Sequence, residues 1–161
     1  MRIIKWNNGD NFAGKPTKIK SMTKNESYHG TTEVASNAIV NGSISVTMGG
    51  GELGQGFYTG TYIWEAKAWA RMKHRSSAVV EISILDNDFY RLNIETLDFT
   101  QTSCLRKLVR DNKTTRTHLE NVDVVWAPIV GSQRNKGDQY KWESIMTQNL
   151  LNSTQVLRRK V

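Results

Sequence analysis

Apolar residues alternate with others from Ala78 to Leu85, with Val80, Ile82 and Ile84 on one face, which predicts a β-strand. Elsewhere the apolar period lengthens to that of a helix. Thr32 stands as a cap before Val34, Ala35, Ala38 and Ile39, and Gly42 supplies a stop. Trp64, Ala68 and Met72 recur at i, i+4 and i+8 with Trp69 beside them, predicting a second helix. A third helix is expected around Cys104 to Arg110, through Leu105, Leu108 and Val109, with Cys104 as a buried thiol. A strand is expected over Val122 to Trp126. After a polar loop from Gly131 to Gln139, a strand is expected within Trp142 to Leu151 and a short basic helix at the C-terminus. Glycines crowd the stretch 49–56, read as a loop running into Phe57-Tyr58-Thr59. Residues 1–26 are polar and Lys-rich and are expected to form a loose arm, with one domain over 27–161. Strands and helices interleave without a regular βαβ rhythm, so the predicted class is α+β.

Charge adds a partner class. Twenty-two Lys and Arg against fifteen acids give a net +7, a field that favours polyanions such as nucleic acid, an acidic protein or a dinucleotide. The cations are dispersed, and neither zinc-finger spacing nor an aromatic RNA-binding signature stands out. A chain without an 18-residue apolar run is expected to have no membrane span, and its single cysteine fits a cytoplasmic location.

The chemistry-bearing residues are few. Three histidines and one cysteine show no zinc-ligand spacing, so no metal is expected, and the glycine loop lacks the G-K-[ST] ending of a P-loop. His74 and His118 lie among charged residues and read as solvated. His29 differs, standing between Tyr28 and Gly30 at a predicted strand end. Some thirty residues later, Gly54-Gln55-Gly56-Phe57-Tyr58-Thr59 places a tyrosine behind glycines that allow close backbone approach.

Together, Tyr28-His29-Gly30-Thr31, then Gly54 to Thr59, then Glu65-Ala66-Lys67-Ala68-Trp69-Ala70 resemble the first two motifs of ADP-ribosyltransferases of the diphtheria-toxin and poly(ADP-ribose) polymerase class. The likeness is to small bacterial and phage members with an H-Y-[E/Q] set, and Val122 to Ile129 resembles their central strand. It spans 27–161 and implies split mixed and antiparallel sheets around an NAD cleft. By this resemblance, His29 bonds a ribose hydroxyl of NAD+, Gly30 and Thr31 hold the nicotinamide end, and Tyr58 and Trp69 stack on the nicotinamide. For the third catalytic position two candidates stand: Gln148, at the start of the expected last strand, and Glu143, which supplies the charge that Gln148 lacks. A carboxylate there would stabilise oxocarbenium-like charge.

Ala66 stands where the polymerases carry a serine that binds the carboxamide, and no elongation glutamate is identified, so mono-transfer is the implied outcome. The loop before the expected last strand is where such enzymes select an acceptor. Arg134, Lys136, Tyr140 and Trp142 are its candidate acceptor-binding residues, through phosphate contact and base stacking. The implied protein is a toxin or phage-conflict effector acting on nucleic acid or on a protein, with a neutralising antitoxin as a further partner. Two other readings remain open, an NAD glycohydrolase on the same fold and a basic nucleic-acid-binding module without catalysis.

Overall fold

The computed structural model describes residues 24–111, 117–131 and 137–161. In chain order the elements are β1 (Lys24–Thr31), α1 (Glu33–Val40), β2 (Gly50–Gly51), β3 (Gly54–Gln55), β4 (Phe57–Gly60), α2 (Ile63–His74), β5 (Ala78–Leu85) and α3 (Asp86–Phe89). They continue with β6 (Ile94–Thr96), α4 (Phe99–Asp111), β7 (Val124–Pro128), β8 (Asp138–Trp142), α5 (Ile145–Asn152) and β9 (Leu157–Lys160). Seven strands form one sheet in the order β6-β7-β8-β4-β1-β5-β9, and β2 and β3 make a separate hairpin. Among the described strands of this sheet only β6 and β7 run parallel; the other pairs are antiparallel. The class is α+β.

The sheet is nearly divided at its middle. β1 is in register with β5 along its whole length, from Lys24↔Leu85 to Thr31↔Ala78, and β4 with β8 from Phe57↔Trp142 to Gly60↔Gln139. Between β1 and β4 a single register pair, Tyr28↔Gly60, joins the two halves. Beyond it Gly30 and Thr31 continue with β5 alone.

Strand alternation sends successive side chains to opposite faces. One face carries Phe57, Val80, Ile82, Ile84, Val124, Tyr140 and Trp142, which meet Ile39 of α1 and Leu151 of α5 in the main core. Phe89 sits edge-on to Trp126, Tyr140 and Trp142, binding that core into an aromatic cluster. The opposite face carries Tyr58, Val125 and Ala127, packed with Leu53 of the hairpin turn and Leu105 of α4. β5 is therefore buried on both sides, and its pattern reads as a continuous run rather than as an alternation with solvent.

Several expectations are corrected. β1 starts at Lys24, so residues 24–26 belong to the sheet and not to an arm; residues 1–23 lie outside the described part. Residues 145–152 are helical where a strand was expected. Ser144 caps α5, its Oγ accepting from Thr147 N at 3.1 Å, and Thr147 and Leu151, four apart, are its buried positions. The C-terminal run expected as a helix is β9, paired with β5 from Ser83↔Leu157 to Val80↔Lys160. Cys104 is exposed, because α4 turns Thr102 and Val109 inward instead.

The helix expected around Trp64 to Met72 is α2, but its aromatic stripe is not the side it buries. Its buried positions are Glu65, Ala66 and Ala70, while Trp64, Trp69 and Met72 face outward, Met72 at 80% exposure. The cause is close approach. Gly30 lies so near α2 that a Cβ there would overlap the Ala66 carbonyl oxygen and stand 3.0 Å from Ala70 N. At that separation only alanines fit between helix and strand, so the indoles are excluded from the inner side.

Candidate active site

His29 and Tyr58 come together where β1 and β4 part. His29 Nδ1 is 2.6 Å from the Tyr58 carbonyl oxygen, and its ring packs against Phe57 with centroids 4.6 Å apart. A carbonyl only accepts, so Nδ1 carries the proton in this contact and Nε2 is left as the acceptor of a neutral ring. Burial holds the His29 pKa below the usual histidine value. The bond to the Tyr58 carbonyl opposes that shift, and His74 reinforces it.

The two side chains alternate to opposite faces. Tyr58 lies on the side away from the main core, under the glycine hairpin. Its hydroxyl donates to the Gly54 carbonyl at 2.6 Å, and a Cβ on Gly51 would lie 2.7 Å from Cζ of its ring. Glycine is required there because the hairpin backbone lies directly against the phenol. Burial raises the Tyr58 pKa well above the ordinary tyrosine range, so the phenol stays protonated and can donate. The stretch expected as a loop is thus a short hairpin seated on Tyr58.

On the same face, β8 places Gln139 opposite Gly60, two residues along from the Lys141 that faces Tyr58. The buried Gln139 amide donates to the Pro128 carbonyl at 3.3 Å and to Glu52 Oε1. Glu52, at the hairpin turn, also accepts from Val130 N at 3.0 Å and pairs through Oε2 with Arg106 Nε at 3.2 Å. From the helix side, buried Glu65 accepts from Gly137 N at 3.1 Å and comes close to Gly60. Two carboxylates, Glu52 and Glu65, therefore flank Gln139 and Gly60. The period of two that puts Tyr140 and Trp142 on one face and Gln139, Lys141 and Glu143 on the other is the signal by which β8 and Gln139 could have been found.

The two residues expected at the third position stand elsewhere. Gln148 is on α5, and its Oε1 accepts from Val46 N at 3.0 Å, holding the loop after α1. Glu143 is buried, pairs with Lys141 Nζ at 2.6 Å and accepts from Asn121 N at 2.6 Å, while Lys141 Nζ also donates to the His118 carbonyl at 3.1 Å. Burial lowers the Lys141 pKa, and Glu143 pulls it back up. Both expected residues are structural in these contacts.

Compared with known proteins, the chain matches no family model and no curated protein. Its site rests on geometry.

Of the remaining candidates, Gly30 lies at the parting of the sheet beneath α2, and buried Thr31 ends β1. Trp69 is half-exposed and four residues from Glu65, so both lie on one flank of α2; the Lys73 ammonium sits 5.3 Å from its ring centroid. Trp69 does not meet Tyr58, whose ring is occupied by Gly51. Tyr140 and Trp142, expected on an acceptor loop, are core residues of β8. Trp142 Nε1 donates to Thr59 Oγ1 at 3.0 Å, and the Tyr140 hydroxyl accepts from Asn25 Nδ2 at 3.3 Å. Burial raises the Tyr140 pKa to about 12. Arg134 and Lys136 lie outside the described residues. His118 is not simply solvated, since Nε2 meets Glu120 Oε1 at 2.8 Å. Among the described residues no group of His, Cys, Asp and Glu is clustered to hold a metal ion, and no helix is long and apolar enough to cross a membrane.

Proposed function

We propose that the protein is a mono-ADP-ribosyltransferase, on the split-sheet fold of that class, that cleaves NAD+ at the nicotinamide–ribose bond and transfers ADP-ribose to a macromolecular acceptor. One observation carries the reading: His29 and Tyr58 meet where β1 and β4 part, and Gln139 stands on the next strand, β8, opposite the Gly60 at which the two halves are joined. Such a parting lets an extended dinucleotide reach backbone and side chains of both halves.

In this reading the third position belongs to Gln139, not to Gln148 or Glu143. His29, neutral with Nε2 as acceptor, takes a hydrogen bond from a ribose hydroxyl. Gln139 orients the ribose, and Glu52 beside it provides the negative charge that an amide lacks, where positive charge develops as the glycosidic bond lengthens. Nicotinamide leaves with the bonding electron pair, and an acceptor nucleophile attacks the ribose carbon and gives up its proton. Trp69, on the Glu65 flank of α2, serves as the aromatic wall. Tyr58 reaches a ligand on its ring face only when the glycine hairpin moves. The net +7 charge favours a nucleic-acid acceptor, and an effector or toxin role in the cytoplasm is proposed on the family resemblance.

The test is incubation of purified protein with labelled NAD+ and a bacterial extract, followed by separate nuclease and protease digestion. Label in large material that is lost to nuclease supports transfer to nucleic acid, and loss to protease alone moves the acceptor to a protein. Free labelled ADP-ribose with no labelled macromolecule would make the protein a glycohydrolase. Intact NAD+ would defeat the proposal.

A further inference from the structure

The outward side of α2 is an apolar and basic surface that the described residues leave uncovered. Trp64 is 51% exposed and Met72 80%, with Ala68 exposed between them at helical spacing. Just before the helix Tyr62, 47% exposed, stacks on Trp64 with centroids 5.8 Å apart and planes 15° from parallel. Such a stripe would ordinarily mark the buried side of a helix, but the close approach of Gly30 to Ala66 and Ala70 turns it to the outside. It therefore contributes nothing to the core.

Its charge is of one sign. Lys67, Arg71 and Lys73 are exposed along the helix, Arg75 follows at its C-cap, and the single acid of α2, Glu65, is turned inward onto Gly137. This argues against two ways of covering the stripe from within the species. A second copy would bring the same cations face to face. Residues 1–23 carry Arg2, Lys5, Lys15, Lys18 and Lys20 against Asp10 alone, so that segment is also of like charge.

We infer that this face of α2, centred on Tyr62 and Trp64 with Lys67 and Arg71, binds single-stranded nucleic acid. Flat indole and phenol rings stack on unpaired bases, whose faces are hidden in a duplex, while adjacent cations follow the phosphates. The Tyr62 ring lies beside Gly137, where β8 and Gln139 begin, so a strand on this face leads toward the parting of the sheet. The inference rests on the transferase reading only in making that strand the acceptor.

The experiment is fluorescence anisotropy of the full chain, without NAD+, on labelled mixed-sequence DNA and RNA strands of about 16 nucleotides and on the matching duplexes. Single strands are expected to bind more tightly than duplex. Trp64→Ala should weaken single-strand binding by about 5- to 150-fold, the equivalent of one lost base stack. Lys67→Gln with Arg71→Gln should lower the magnitude of the log K against log salt slope by about 1.4, two phosphate contacts on a single strand. Equal or tighter duplex binding, no oligonucleotide binding, or unchanged affinity in both variants overturns the inference. So does Trp64-dependent binding of polyglutamate in place of the oligonucleotides, which gives the face to an acidic protein. Oligonucleotide binding with no NAD+ cleavage would remove the transferase reading and leave this one standing; cleavage without oligonucleotide binding would do the reverse.

Discussion

The Nδ1 of His29 lies 2.6 Å from the carbonyl oxygen of Tyr58, across the parting between the two halves of the sheet. This contact replaces the next rung of a β ladder with a side-chain bond. It fixes the imidazole as the Nδ1–H form, with Nε2 free of the proton.

The pH dependence of stability follows from the burial of this ring, which outweighs the opposing effect of the bond. The folded His29 pKa lies below the ordinary value of about 6.5. Between those two values the unfolded chain binds more protons, so stability rises with pH. His29 therefore contributes fully above about pH 6.5, and its contribution is lost as pH falls through the folded value. Urea melts between about pH 7 and 5, above the main carboxylate range, should show stability falling on acidification. His29→Asn should flatten the slope. An unchanged slope would mean that the imidazole is charged or open to solvent in the fold.

Tyr58 has two separable parts. Tyr58→Phe keeps the ring against Gly51 and frees the Gly54 carbonyl, at a cost of about 1 kcal/mol. Faster amide exchange in the hairpin is expected, with NAD+ cleavage largely retained. Tyr58→Ala should abolish cleavage. Loss of cleavage in both variants would place the function in the hydroxyl instead.

The third position is decided by four substitutions in the NAD+ cleavage assay. Gln139→Ala and Glu52→Gln should each reduce turnover about 100-fold or more, the scale of losing one prepositioned polar group. Gln148→Ala should leave turnover intact while lowering stability by about 1–3 kcal/mol, since Val46 N loses its partner. Activity that depends on Gln148 but not on Gln139 would reverse the assignment.

Lys141 and Glu143 form a pair with side chains 0% and 2% exposed. Lys141→Met strands a buried carboxylate and should cost about 3–5 kcal/mol. Adding Glu143→Leu should restore much of the loss, measurable as a double-mutant coupling in chemical melts. A double variant as unstable as the single would show that the bonds to Asn121 N and the His118 carbonyl, rather than the pair, hold this corner.

The close contact at Gly30 gives a further check on α2. Gly30→Ala drives a methyl group into the Ala66 carbonyl and should destabilise by about 1–3 kcal/mol or prevent folding. An Ala at this position that melts like the parent would mean that α2 sits farther from β1.

Local chemistry determined a good part of this protein from the sequence alone. The α+β class, the cap at Thr32 and β5 over 78–85 all follow from period, turn residues and capping, which act over a few neighbours; His29 was expected at the end of a short strand and lies within the eight-residue β1. Tertiary contact decided the rest. That α2 would present its tryptophans outward depended on Gly30, thirty-four residues before Trp64, admitting the helix too closely for anything larger than alanine. That Tyr140 and Trp142 are core while Gln139 faces Glu52 depended on β8 lying between β4 and β7, buried on both faces. Gln148 and Glu143 carry the right chemistry for a site, but their positions are set by Val46 N, about a hundred residues from Gln148, and by the backbone N–H of Asn121 beside the near neighbour Lys141, and no local pattern reveals the two backbone partners. Periodicity shows which residues share a side of an element; what stands against that side is settled only when the elements pack.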